Sequence, residues 1–225
     1  MSNSNYDLEW RFENNLMPYS EAIKIMESRV QNISENKDSQ LIWVLEHLAV
    51  YTAGISAKDQ DLLFKNDIEI IKTNRGGKYT YHGPGMKIIY AMIDLKKLFY
   101  PVNPDITKFV EFLEFWIIAV LKNYKIEAGI RKGRVGLWVN TSEGEKKICA
   151  IGIKIKKWIS YHGVALNINP NLNNFQNIVP CGIKEYGVTS LAEMGVCDFN
   201  QEEFYKILKI EFQKCYKQFF KNSNL

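Results

Sequence analysis

The segment Arg75-Gly76-Gly77-Lys78-Tyr79-Thr80-Tyr81-His82-Gly83-Pro84-Gly85 brings four glycines, a proline, an arginine and a histidine into eleven residues. Glycine admits positive φ and lets a ligand approach the backbone closely. Before the segment, Ile68 to Lys72 alternates like a strand, and after it Ile88 to Leu95 is a second apolar strand run. The pattern predicts a tight loop held between two strands, where binding residues are usually mounted. The GxxxxGK[ST] spacing of a phosphate-binding loop is missing, and so is GxGxxG. By itself the pattern also fits a plain crossover whose glycines serve turn geometry.

The rest of the chain narrows the choice. Its 225 residues suffice for one sizeable core. Hydrophobic residues at 46% and charged residues at 24% are ordinary for a globular domain. The net charge of +4 is mild, and lysines alternate with carboxylates, which argues against a nucleic-acid binder. A small positive balance suits steering towards an acidic protein partner. Cys149, Cys181, Cys197 and Cys215 form no CxxC pair, and Met1-Ser2-Asn3-Ser4-Asn5 carries no apolar signal region. Free thiols in a reducing cytoplasm are expected. The longest apolar run, Phe115 to Leu121, falls far short of the roughly 20 residues that span a bilayer.

Along the chain, Ser20 is placed to cap a helix to about Ile33, with Ala22, Ile23, Met26, Val30 and Ile33 on one face. Leu41 to Val44 reads as a buried strand leading to His47 and a Tyr51-Thr52-Ala53-Gly54 turn. Asn103-Pro104-Asp105 reads as a cap, a first-turn proline and a first-turn acid. It opens a helix to about Asn123 with Lys108, Glu111 and Glu114 on the wet face. Strand-like runs follow at Ile126–Ile130, Val135–Val139, Lys147–Ile155 and Val164–Ile168. Short helices are expected at Leu172–Ile178 and Ser190–Met194. A last helix from Asn200 to about Phe219 opens with Asn200 and Glu203 at capping-box spacing. Helices around a run of neighbouring strands predict an α+β fold in a single domain over residues 1–225.

Three kinds of side chain could carry chemistry. His47, His82 and His162 all sit beside turn-forming sequence, the last two in identical Tyr-His-Gly triplets. Three histidines suit an open zinc site, but they come from distant segments without an HxH or HxxxH pair, so no metal is expected. Lys147 begins the run Lys147-Ile148-Cys149-Ala150-Ile151-Gly152-Ile153, where strict alternation places it on the face of Cys149, Ile151 and Ile153. There it is either a desolvated lysine or one that snorkels to water from the strand's start. Cys181, between Pro180 and Gly182, sits at a bend from which a thiol can project into a cleft; a packed cysteine is the alternative.

Taken in order, these motifs resemble the lipoyl(octanoyl) transferases. They are Trp43-Val44-Leu45-Glu46-His47, the Arg75–Gly85 segment, Lys147 ahead of Ile151-Gly152, Tyr161-His162-Gly163-Val164-Ala165-Leu166-Asn167, and Pro180-Cys181-Gly182. The resemblance runs from about Leu8 to Gly195 and leaves the C-terminal helix outside it. It implies a biotin/lipoate protein ligase-like catalytic domain, a mixed β-sheet flanked by helices. It also implies a thioester on Cys181, with Lys147 lowering the pKa of that thiol, and no cofactor. By the same analogy Arg75, Gly76, Gly77, Lys78, Tyr79, Thr80, Tyr81 and His82 line the acyl site with Ala150, Ile151, Gly152, Gly163, Val164 and Ala165, while His47 and His162 support it. The implied partners are octanoyl-acyl carrier protein and the lipoyl domains of 2-oxoacid dehydrogenase complexes and glycine cleavage H protein. No nucleic acid or membrane is implied, and the implied location is cytoplasmic.

Two rivals remain at this level. An ATP-dependent lipoate–protein ligase shares the fold, but its adenylate route needs no thiol. A non-enzymatic binding module would leave Cys181 merely packed.

Overall fold

Sequence-distant strands pair to form the frame of the molecule. A computed structural model describes residues 7–64, 66–179 and 186–221. In chain order the strands are β1 (Leu8–Met17), β2 (Gln40–His47), β3 (Val50–Ala53), β4 (Glu69–Lys72), β5 (Tyr79–His82), β6 (Met86–Met92), β7 (Gly129–Arg131), β8 (Arg134–Thr141), β9 (Gly144–Lys156), β10 (Ile159–Asn167) and β11 (Gly187–Val188). The helices are α1 (Tyr19–Ser34), α2 (Leu95–Phe99), α3 (Ile106–Asn123) and α4 (Gln201–Tyr216). The main sheet runs β1-β2-β6-β10-β9-β8-β7, with β11 on β9, and β4-β3-β5 form a small second sheet. Pairing is parallel at β1/β2 and β11/β9 and antiparallel elsewhere in the main sheet, so the sheet is mixed, as expected.

Alternation along the central strands sorts side chains to two faces. Ile42, Val44, Ile89, Ala91, Val164 and Leu166 meet α3 and α4 on one face. Leu41, Trp43, Leu45, Ile88, Tyr90 and Ala165 meet α1 and the small sheet on the other. Both helices present apolar stripes, Ala22-Met26-Val30-Ile33 on α1 and Phe109-Phe112-Leu113-Trp116-Val120 on α3. No helix among the described residues is long and apolar enough to cross a membrane.

Local readings of the sequence need several corrections. Tyr51-Thr52-Ala53 is strand, not turn, because it pairs with both β4 and β5. The Arg75–Gly85 segment is not one loop: Tyr79–His82 inside it is a buried strand. The early strand β1, absent from the reading, gains its partner only from β2, some thirty residues away. Pro18, not Ser20, precedes α1, and Asp105, not Asn103, caps α3 by accepting from Lys108 N at 3.0 Å. Leu95 opens α2 behind the Asp94 cap instead of ending β6. Residues 191–195 form turns, not a helix. Glu114 is buried, not on the wet face, and accepts from Gly136 N at 3.4 Å; burial raises its pKa.

A candidate acyl-binding site beneath the glycine loop

The residues Arg75 to Lys78 leave the small sheet and fold back over β9. Gly76 N–H donates to Ile153 O at 3.4 Å, which docks the turn onto the main sheet. The Arg75 side chain stitches the turn from within. Its Nη1 donates to Gly76 O at 2.9 Å, and its Nη2 to Lys78 O at 2.8 Å and Thr52 O at 2.7 Å. Glycine is required where this turn crosses Gly54, since a Cβ there would lie 2.3 Å from Gly77 O. An equally close approach occurs at Gly163, where a Cβ would meet Ile89 O at 2.2 Å.

Between this turn and the sheet lies a small cavity of about 60 Å³, partly open to solvent. Arg75, Gly76, Gly77, Lys78, Thr80, His82, Ala150, Ile151, Gly152, Gly163, Val164 and Ala165 all line it, joined by His162. Tyr79 and Tyr81 do not. They alternate with Thr80 and His82 along β5 and join the apolar cluster on its other side, where Tyr81 meets Phe175 edge-on. The missing Cβ atoms at Gly76, Gly77 and Gly152 keep the walls close to backbone, which suits a slender apolar ligand.

Tyr19, Ile88 and Tyr90 also line the cavity and were not anticipated. The sequence held a signal for Tyr90: it interrupts an aliphatic strand at the position that shares a face with Ile88. A buried tyrosine needs a hydrogen-bond partner, and His47 supplies one. Tyr90 OH and His47 Nε2 are 2.6 Å apart, and His47 Nδ1 lies 2.9 Å from Met17 O. A carbonyl can only accept, so His47 carries its proton on Nδ1 and Tyr90 donates to Nε2. Both His47 nitrogens are thereby used within the protein.

A second relay runs beside the first. Thr52 Oγ1 accepts from Arg75 Nε at 3.1 Å and Nη2 at 2.7 Å. Its hydroxyl hydrogen then goes to His82 Nε2 at 3.3 Å, which leaves the His82 proton on Nδ1. Burial lowers the pKa of all three histidines, to about 4 at His47, to about 3 at His162, and well below the ordinary value at His82. The Arg75 guanidinium reinforces the effect at His82 and His162. These rings are neutral at physiological pH. His162 is also held at φ 60° within β10, an uncommon conformation for a residue with a side chain.

The sequence matches the lipoyl protein ligase A/B catalytic domain over residues 18–213. It is 46% identical over 208 residues to an octanoyltransferase of Wolbachia pipientis subsp. Culex pipiens (strain wPip), covering 92% of this chain and 99% of that one. With the octanoyltransferase of Ehrlichia ruminantium (strain Gardel) it shares 44% over 209 residues, 93% and 99% of the two chains. The chain belongs to the octanoyltransferase family. It is an acyltransferase. The fold agrees with more distant relatives of known structure. A bi-partite lipoate protein ligase from Thermoplasma acidophilum superposes with a TM-score of 0.65 at 17% identity, covering 92% of this chain and 84% of that one. Lipoate-protein ligase A bound with ATP gives 0.66 at 16%, covering 92% and 85%.

Within this family member, Lys147 departs from simple alternation. Across the β8–β9 pair, Leu137 lies opposite Cys149 but Trp138 lies opposite Lys147, which leaves Ile148 as an extra residue. This bulge turns Lys147 to the face opposite Cys149. Lys147 is therefore not aligned with Cys149, Ile151 and Ile153; it shares the side of Trp138 and Val188. Nor does it snorkel: it is 6% exposed, and its Nζ donates to Val135 O at 3.0 Å. Cys149 packs into the α3/α4 core, and burial raises its thiol pKa. Cys181, with Pro180 and Gly182, lies outside the described residues.

Proposed function

We propose that the chain transfers an octanoyl group in two steps, through a thioester on Cys181. As a member of its family it transfers octanoyl groups in protein lipoylation. In the first step the Cys181 thiolate attacks the carbonyl of an octanoyl thioester on acyl carrier protein. The C–S bond to the carrier breaks, the carrier's sulfur takes up the proton that Cys181 gave up on becoming a thiolate, and the acyl group is now on Cys181. In the second step a lysine amine of a lipoyl domain attacks that carbonyl. The C–S bond breaks, an amide forms, and the proton lost by the amine is accepted through Lys147 as the Cys181 sulfur is restored. A positioned base gives such a step roughly 10²–10⁴-fold.

The observation that carries this reading is the cavity. Its walls combine backbone from three separated glycine-bearing segments, Gly76-Gly77, Gly152 and Gly163, with the apolar residues Ile88, Ala150 and Ala165. In this reading the octanoyl chain lies along those walls. His162 and His82, neutral and among the lining residues, orient the reacting carbonyl, and His47 supports them through Tyr90. The lipoyl domains served are those of 2-oxoacid dehydrogenase complexes and glycine cleavage H protein, in the cytoplasm, without metal or cofactor.

Incubation with octanoyl-acyl carrier protein and a lipoyl domain, in the absence of ATP, tests the reading. The lipoyl domain gains one octanoyl unit by mass, and Lys147→Ala slows that gain by about 10²–10⁴-fold. A strict requirement for ATP with free octanoate would replace this reading by that of a ligase.

A further inference from the structure

The environment of the Lys147 amine is built from an aromatic column. Its Nζ lies 4.8 Å from the Trp138 ring centroid, besides donating to Val135 O. The ring is itself fixed on several sides. Trp138 Nε1 donates to Arg134 O at 3.1 Å, and Tyr186 meets the ring edge-on at 5.4 Å. The Arg134 guanidinium sits 4.6 Å from the Trp138 ring and 4.2 Å from the Tyr186 ring, with its charge paired to Glu145 at 2.6 Å. Trp138 is 1% exposed, so the indole has no room to turn away. The same column thus touches Lys147 at one end and Tyr186 at the other.

We propose that Trp138 is a positioning residue for acyl transfer: its ring face and the Val135 carbonyl hold the Lys147 amine on the side to which the Ile148 bulge has turned it. The inference rests on the role proposed for Lys147. An ammonium over an indole face gains electrostatic attraction, and tryptophan provides more of it than phenylalanine. A four-carbon lysine stem has many rotamers, so an unheld amine spends little time in any one place. Trp138 removes that freedom without forming an ion pair that would compete for the proton. The Ile148 bulge and Trp138 act together, because without the bulge the lysine would face Leu137 and the α3/α4 core.

A double-mutant cycle on the full-length chain tests this. Trp138→Leu lowers kcat by about 10-fold with KM for octanoyl-acyl carrier protein nearly unchanged, and Trp138→Phe, which keeps an aromatic face, recovers part of the loss. In a Lys147→Ala background Trp138→Leu adds no further loss, because the side chain it positions is gone. Val139→Ala, on the opposite face of β8, lowers the melting temperature but leaves kcat in place. Should the leucine variant not fold, the phenylalanine variant in both backgrounds decides the matter. Losses that multiply in the Lys147→Ala background, or a Trp138→Phe effect confined to KM or thermal stability, would overturn the inference. If instead Lys147→Ala leaves transfer unimpaired, it is the role of Lys147 that fails.

Discussion

The two faces of the main sheet are built to different ends. Against α3 and α4 the contacts are mostly apolar, with buried Glu114 and buried Lys87, paired to Glu46, as exceptions: Trp116 meets Phe212 at 5.0 Å and Trp10 at 6.0 Å, edge-on in both cases. Its one polar group is satisfied, since Nε1 donates to Leu208 O at 2.9 Å. Against α1 and the small sheet the same strands bury His47, His82, His162, Tyr90 and the Arg75 guanidinium around a cavity. Buried polar groups cost free energy unless they are hydrogen-bonded, and a cavity forfeits packing contacts. The first face therefore supplies stability, and the second uses some of it to hold neutral, oriented donors and acceptors at a binding site. Strands that alternate cleanly can serve both purposes at once.

The sharpest way to break this contrast is to damage the packed face alone. Trp116→Ala should lower unfolding stability by about 3–5 kcal/mol, the usual loss for a buried tryptophan. The fraction that remains folded should transfer at the parental rate, which denaturant titration alongside an activity assay will show. Loss of activity well beyond loss of folded protein would mean the two faces are not separable.

A smaller effect should mark the cavity face through pH. His47 takes up a proton at about 6.5 in the unfolded chain but only at about 4 when folded. Between those values the unfolded state binds more protons, so stability is full above about pH 6.5 and falls as the pH drops towards 4. The displacement amounts to ~3 kcal/mol for His47. His82 and His162, depressed as well, act in the same direction. Unfolding curves at pH 7.5, 6 and 5 should show the decline, and His47→Gln should flatten it. A flat profile in the parent chain would place these rings in water.

The sequence disclosed the cavity better than the fold around it. The family resemblance placed Gly76, Gly77, Gly152, Gly163 and Ala165 together at one site, whereas the residues alone marked only the glycine-rich Arg75–Gly85 segment. The strand Tyr79–His82 was hidden within that same segment, since its partner β3 is set by long-range pairing and not by local propensity. The bulge at Ile148 was hidden for a related reason. Nothing in Lys147-Ile148-Cys149 announces an extra residue; only the register against Leu137 and Trp138 does. One unpaired residue reversed the face assigned to Lys147. Glu114 misled in the opposite way, because a carboxylate was read as solvated while the Gly136 amide held it inside.

Intact-mass analysis of the protein after incubation with octanoyl-acyl carrier protein tests the central claim most directly. The account predicts a gain of one octanoyl unit, removed by hydroxylamine as a thioester is, retained in Cys149→Ala, Cys197→Ala and Cys215→Ala, and absent in Cys181→Ala. An adduct that persists in Cys181→Ala, or transfer to a lipoyl domain by that variant at the parental rate, would contradict it.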